Sequence, residues 1–336
     1  MIADIMTFQN DSSASDPLKI NLLMSQVVPL GIFCFIMTFM GLFGNGTVLY
    51  SSIKYNAIKL DKVSLIFVRN LAVADIVFTI TTIFPHMCTF FAGGWVLGPI
   101  YCFISAQLSF IPGIVNILTV LLITSYRLKI VTNPFSSISS TTARIMTLLT
   151  WVLGTTGPII SLAYSSKSIF SPTNVKCISN IYVHPQGAKI FQIAVGVLLM
   201  IPLLMITIEN AVLCGVAVKS AKKASSSSFK ALVLVCALAG VFIMSWVPYL
   251  VFSVMKAWKF QTAPALDLLA FHFIFINCFA NPILYSVTNK RFGGYVWGVL
   301  SKMLCEPCQQ VTASTTASDG NPTSSTGIHQ AETSGL

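Results

Sequence analysis

Charge is what this sequence has least of. Only 9% of its 336 residues are Asp, Glu, Lys or Arg, where soluble domains carry about 25%. With a mean hydropathy of +0.80, the polar surface is too small to cover a water-soluble globule. Acids are scarcest, 10 against 20 Lys and Arg. No basic run is interleaved with aromatics, so the net charge of +10 does not point to nucleic acid. Histidine is nearly absent: His86, His184, His272 and His329 are dispersed, and neither HExxH nor GxSxG occurs, which excludes those hydrolase classes. No internal repeat or pair of matching halves marks a transporter. Ion transport through Asp75 and Glu209 is the alternative that stays open. The first 26 residues lack a long apolar core, so they read as a polar tail rather than a cleaved signal peptide.

What is abundant is apolar length. A membrane span takes roughly 20 mostly apolar residues. Seven runs meet that, at 27–53, 63–90, 99–131, 142–164, 189–218, 230–256 and 264–287. The predicted fold is therefore an all-α membrane protein, a seven-transmembrane helix bundle. With the N-terminus outside, 14 of the 20 Lys and Arg fall on the inner side, as the positive-inside rule requires. Segment 289–300 is too short to span, and its cations with Phe292, Tyr295 and Trp297 fit a short amphipathic eighth helix in the inner interface. Cys305 and Cys308 form the one CxxC, and their juxtamembrane place favours palmitoylation over a metal or redox site. Two unmodified thiols are the alternative. The domains read as an extracellular tail over 1–26 with a glycosylation sequon at Asn10, a receptor-sized bundle with its interfacial helix over 27–304, and a disordered Ser/Thr-rich tail over 305–336.

Polar groups at bilayer depth are expensive and face the bundle interior. Here they are Asn45, Asn70, Asp75, Asn116, Glu209, Asn210, Asn277 and Asn281. Asp75 with the amides of Asn45, Asn116, Asn277 and Asn281 makes one polar nest. It is either a site for a hard cation, which prefers oxygen ligands, or an inter-helix hydrogen-bond cluster. Pro202, Pro248 and Pro282 each remove a helical hydrogen bond and predict kinks in spans five, six and seven. Cys102 and Cys177 both fall outside under this topology, and a disulfide between them would pin the longest outer loop over the bundle mouth.

Each span also carries a mark in which the chain resembles the rhodopsin-like receptors coupled to G proteins, over roughly 27–304. The marks are Gly44-Asn45, Leu71 to Asp75, Trp95 ahead of Cys102, Arg127, Trp151, Pro202, Phe242 with Ser245-Trp246-Val247-Pro248, and Asn281-Pro282-Ile283-Leu284-Tyr285. The resemblance implies a plasma-membrane receptor, not an enzyme. Its partners would be an extracellular ligand, a heterotrimeric G protein, membrane lipids, and arrestin and receptor kinases at Ser225 to Ser228 and the tail. The one cofactor implied is an allosteric sodium ion at Asp75, Asn116, Asn277 and Asn281. Tyr126, Arg127, Asn210, Phe242, Trp246, Pro248, Asn281, Pro282 and Tyr285 would form the activation switch, with helix six swinging outward.

The chain departs from that family at three of these positions. The acid expected before Arg127 is Tyr126, Asn210 stands where a tyrosine is frequent, and Ser245 replaces a frequent cysteine. An Arg127 without its adjacent carboxylate predicts elevated basal signalling, with Glu209 as the substitute partner. Ser109 stands where amine receptors carry their acid, and Phe275 where visual pigments carry their lysine, so neither an amine nor a retinal Schiff base fits the pattern. The expected ligand cavity is lined by Ser109, Phe110, Gly113, Trp246, Tyr249, Leu250, Ser253, Phe271 and Phe275 and is nearly uncharged. Lys256, Lys259 and Asp267 stand at its rim. The stretch KCISNIYV from Lys176 reads as a hairpin lid. Together these favour a peptide ligand, with a lipid or neutral small molecule next.

Overall fold

A computed structural model describes residues 24–301 apart from 55–57, 59, 134–137, 165–166, 172–174, 180–184, 221–225, 258–259, 262 and 300. Seven of its helices are long and apolar enough to cross a membrane: Ser25–Lys54, Lys62–Ala92, Gly98–Thr132, Ser140–Tyr164, Gln186–Lys219, Leu232–Met255 and Ala265–Thr288. They are spans one to seven, and each begins and ends within a few residues of its hydropathy run. Residues 290–299 are also helical. Asn10, Cys305, Cys308 and both tails lie outside the described residues, as do the side chains of Lys256, Lys259 and Ser225 to Ser228.

The spans share one apolar core reaching from Val27 in span one to Cys278 in span seven. Spans four and five are the least enclosed, with 28% of their apolar windows buried. Their Leu148, Ile159, Ile193 and Leu204 face outward, the surface a bilayer solvates. Where helices meet most closely, small residues allow it. A Cβ on Gly44 would lie 2.8 Å from Pro282 Cγ, so only glycine lets span one close on span seven. Trp151 Nε1 donates to Asn70 Oδ1 at 2.9 Å and Asn70 Nδ2 to Thr119 Oγ1 at 2.7 Å, which ties span four to two and three.

Span two is irregular. Thr79–Ile83 form one π-helical turn, and Pro85 follows at the start of the next regular stretch. The span ends at Gly93, whose φ of 69° is left-handed and suits glycine. Pro29, Pro202, Pro248 and Pro282 all sit inside helices that continue through them.

Strands β1, Ser168–Ser171, and β2, Lys176–Ser179, form an antiparallel hairpin between spans four and five, with Phe170 opposite Cys177. The hairpin was expected, but within KCISNIYV. The described part of that stretch, Lys176–Ser179, supplies the second strand, the first comes from Ser168–Ser171, and residues 180–183 lie outside the described set. Cys102 and Cys177 are bridged as the topology predicted, with Cα atoms 5.3 Å apart. Trp95 packs on Phe170 with ring centres 5.8 Å apart, and Trp95, Cys102, Phe170 and Cys177 are all buried. This pins β2 across what we call the hairpin end of the bundle.

Candidate functional site

Three sites follow one another along the bundle. The first is a cavity of about 630 Å³ at the hairpin end. Ser109, Phe110, Gly113, Trp246, Tyr249, Leu250, Ser253 and Phe271 line it as the sequence predicted. Phe275 is a correction: it is fully buried behind the wall, packed on Phe271 at 5.4 Å, His272 at 4.9 Å and Phe78 at 6.0 Å between ring centres. The cavity is also less neutral than expected. Lys176, Asp267 and His86 line it, with Lys176 Nζ 3.8 Å from the Phe271 ring centre. The cation reaches the cavity because the disulfide at the next residue fixes β2 there. His86 and His272 looked dispersed in the sequence, yet their rings lie 5.4 Å apart. Their shared depth on spans two and seven was the available signal.

The second site is the polar nest. Asp75 is fully buried. Asn116 Nδ2 donates to its Oδ1 at 3.0 Å and Asn281 Nδ2 to its Oδ2 at 2.8 Å. Asn277 is buried alongside span seven's Cys278 and Asn281. Asn45 donates through Nδ2 to the carbonyls of Cys278 at 2.7 Å and Gly41 at 3.0 Å, stapling span one to seven, while its Oδ1 is buried without a partner among the described residues. Among the described residues, Asn116 Oδ1 and Asn277 Nδ2 are buried without a partner. A carboxylate beside an unpaired amide oxygen is a donor set that fits a hard cation. Above the nest Trp246 stacks on Phe242 with ring centres 5.7 Å apart, so the cavity floor rests on the aromatic beneath it.

The third site surrounds Arg127. Arg127 Nη2 lies 3.5 Å from Asp61 Oδ2, and Tyr126 Oη donates to Asp61 Oδ1 at 3.0 Å. Asp61 also caps span two, accepting from Ser64 N at 3.0 Å and Ser64 Oγ at 2.7 Å. Partial burial raises this carboxyl's pKa, but Ser64, Arg127 and Tyr126 together outweigh it and hold the group below its ordinary value. The missing restraint on Arg127 is thus supplied from the loop before span two, which sequence reasoning did not find. Glu209, expected as the substitute partner, instead accepts from Thr124 Oγ1 at 2.6 Å and Ser125 Oγ at 2.7 Å. Tyr285 is fully enclosed, and its hydroxyl has no partner among the described residues. Asn210 meets Cys214 Sγ at 4.0 Å.

Seven spans, a disulfide-pinned hairpin over a cavity and an arginine at the far end define the class of seven-helix membrane receptors. The comparisons with known proteins make this specific. Residues 44–285 match the family model of the 7 transmembrane receptor (rhodopsin family), and the chain belongs to that family. It is a family of receptors rather than enzymes. The chain is 24% identical over 292 residues to a GQ-coupled rhodopsin of Mizuhopecten yessoensis, covering 78% of this chain and 57% of that one. It is 24% identical over 297 residues to a rhodopsin of Alloteuthis subulata, covering 78% and 65%. The chain thus spans about three fifths of the length of these relatives. The crystal structure of squid rhodopsin superposes with a TM-score of 0.65 at 18% identity, covering 92% of this chain and 98% of that one. At that identity the likeness concerns the fold.

Proposed function

We propose that this receptor converts ligand binding in the hairpin-end cavity into activation of a heterotrimeric G protein at the Arg127 end. The observation that carries the reading is the succession of three sites from cavity to arginine. Trp246 floors the cavity, Phe242 supports it, the Asp75 nest lies along spans two, three and seven, and Arg127 closes the far end. A ligand acts by binding one arrangement of these sites better than the other. The hairpin end faces outward from the plasma membrane, in keeping with the Lys and Arg bias. Nucleotide exchange on added G protein, in membranes with and without the chain, tests the reading. No exchange above that of an empty membrane, with ligand libraries applied, would remove it.

The ligand we propose is a small molecule with an apolar body. The aromatic and aliphatic lining and the 630 Å³ volume suit one. The peptide preferred on sequence grounds finds no support among the relatives, and neither does the transporter alternative. Sodium at Asp75 with Asn116 would act as an allosteric ion, and phosphorylation of the tail would recruit arrestin. Both belong to this proposal.

A second reading is a photoreceptor, favoured by the rhodopsin names of the relatives. The family's lysine position is Phe275, and the lysine in the cavity is Lys176. Retinal therefore stays open as a ligand, which corrects the exclusion drawn from residue 275 alone. Purified protein incubated with retinal decides it. A visible absorption band that bleaches in light supports the photoreceptor, and free retinal's spectrum alone removes it.

A further inference from the structure

One stretch of the cavity wall, at Ser105 and His86, has its side-chain protons committed to the backbone. Its origin is Pro85. A proline has no N–H, so a carbonyl one turn earlier loses its helical donor. That turn is the π turn Thr79–Ile83, a distortion frequently found at functional sites. Three successive carbonyls in it take side-chain donors. Tyr101 Oη donates to Ile80 O at 2.6 Å, Ser105 Oγ to Thr81 O at 2.7 Å and His86 Nδ1 to Thr82 O at 2.7 Å. A carbonyl only accepts, so the imidazole proton stands on Nδ1.

Ser105 and His86 both line the cavity. Their protons are committed to the backbone of span two, and what remains is lone pairs on Ser105 Oγ and His86 Nε2. His86 is 3% exposed, and its Nε2 is enclosed and has no partner among the described residues, so a ligand reaches it only as the rings of Phe271, His272 and Phe275 around it give way. The Lys176 ammonium sits on Phe271, whose ring lies 5.5 Å from that of His86. A neighbouring cation opposes a second positive charge on the ring, whether proton or metal ion. Nε2 therefore stays an acceptor. A buried acceptor without a donor is costly, and a ligand that supplies one removes the cost.

We propose that this wall selects ligands bearing a hydroxyl or N–H donor beside an apolar body. His86 Nε2 is the principal acceptor and Ser105 Oγ its neighbour. The inference rests on the cavity being the ligand site.

The test uses the full chain in lipid nanodiscs and two matched pairs of probes: farnesol with farnesyl methyl ether, and retinol with retinyl methyl ether. Each ether keeps the apolar body and lacks the donor. Binding is read by quenching of tryptophan fluorescence and by thermal protection. The alcohol of a pair should bind about tenfold more tightly than its ether. His86→Phe should bring that ratio close to one, and His86→Asn, which keeps an acceptor oxygen, should preserve most of it. Equal binding of alcohol and ether by the natural chain overturns the proposal, as does a ratio that survives His86→Phe. Zinc protecting the natural chain but not His86→Asn overturns it in favour of a metal site. If no member of either pair binds, the cavity is not an apolar ligand site, and the proposed function fails before this inference does. Should His86→Phe not fold, Ser105→Ala gives the second reading, with a reduced ratio expected.

Discussion

Arg127 on span three is held by Asp61, which belongs to the cap of span two. The two charges are 3.5 Å apart, and Tyr126 shares the same carboxylate. One acid therefore serves as helix cap, ion-pair partner and hydrogen-bond acceptor. This replaces the restraint whose absence beside Arg127 had predicted elevated basal signalling, and the resting receptor is expected to be quiet.

Asp61→Asn should raise ligand-free signalling. A half-exposed pair of this kind contributes about 1 kcal/mol, or roughly a fivefold change in the resting equilibrium. Nucleotide exchange at matched surface expression measures it. Tyr126→Phe should give a smaller rise, since it leaves the ion pair in place. Because the Asp61 carboxyl sits below its ordinary value, the pairing is at full strength above the ordinary carboxylate range. It fades only as pH falls through that lowered value. An unchanged basal rate in Asp61→Asn counts against the latch.

Asp75→Ala should abolish any stabilisation by sodium. In the natural chain, thermal unfolding in sodium chloride should come at a higher temperature than in choline chloride. The variant should also be less stable by roughly 1–3 kcal/mol, because the amides of Asn116 and Asn281 lose their buried acceptor. A sodium effect that persists in the variant places the ion elsewhere.

Gly44→Ala should destabilise the bundle without touching any polar site. Its added methyl would meet Pro282 Cγ at 2.8 Å, and overpacking of this kind costs typically 1–3 kcal/mol. Gly46→Ala is the control, with open space around its Cβ position. Equal unfolding temperatures for the two variants would contradict the close approach of spans one and seven.

Cys102→Ser should loosen the hairpin. The bridge joins cysteines separated by 75 positions in sequence, and losing such a link costs about 2–4 kcal/mol. Faster proteolysis within the segment linking spans four and five, with the spans themselves intact, is the expected pattern. It should appear in Cys177→Ser as well.

The membrane class, the seven spans, the Cys102–Cys177 bridge and eight of the residues that line the cavity were legible in the sequence. Each rests on a property that one residue or one run carries alone. A run of apolar residues must bury or meet lipid, and an acid such as Asp75 must find partners wherever the chain folds. Contacts that depend on how one helix is turned against another were not legible. Asp61 meets Tyr126 from 65 residues away, and in sequence it is only a loop acid. Phe275 and His86 were misjudged for a similar reason. The π turn in span two changes which face its later residues present, and helix rotation decides whether span seven shows Phe271 or Phe275 to the cavity.

The apolar runs by themselves thus determined that this chain spans a membrane as seven helices, because backbone in lipid must be paired and each run has the length of a helical span. Only the tertiary structure decided which acid restrains Arg127, and that Lys176 and His86 border the cavity. Those outcomes come from packing geometry, in which a shift of one residue per turn moves a side chain from a helix interface to the cavity wall.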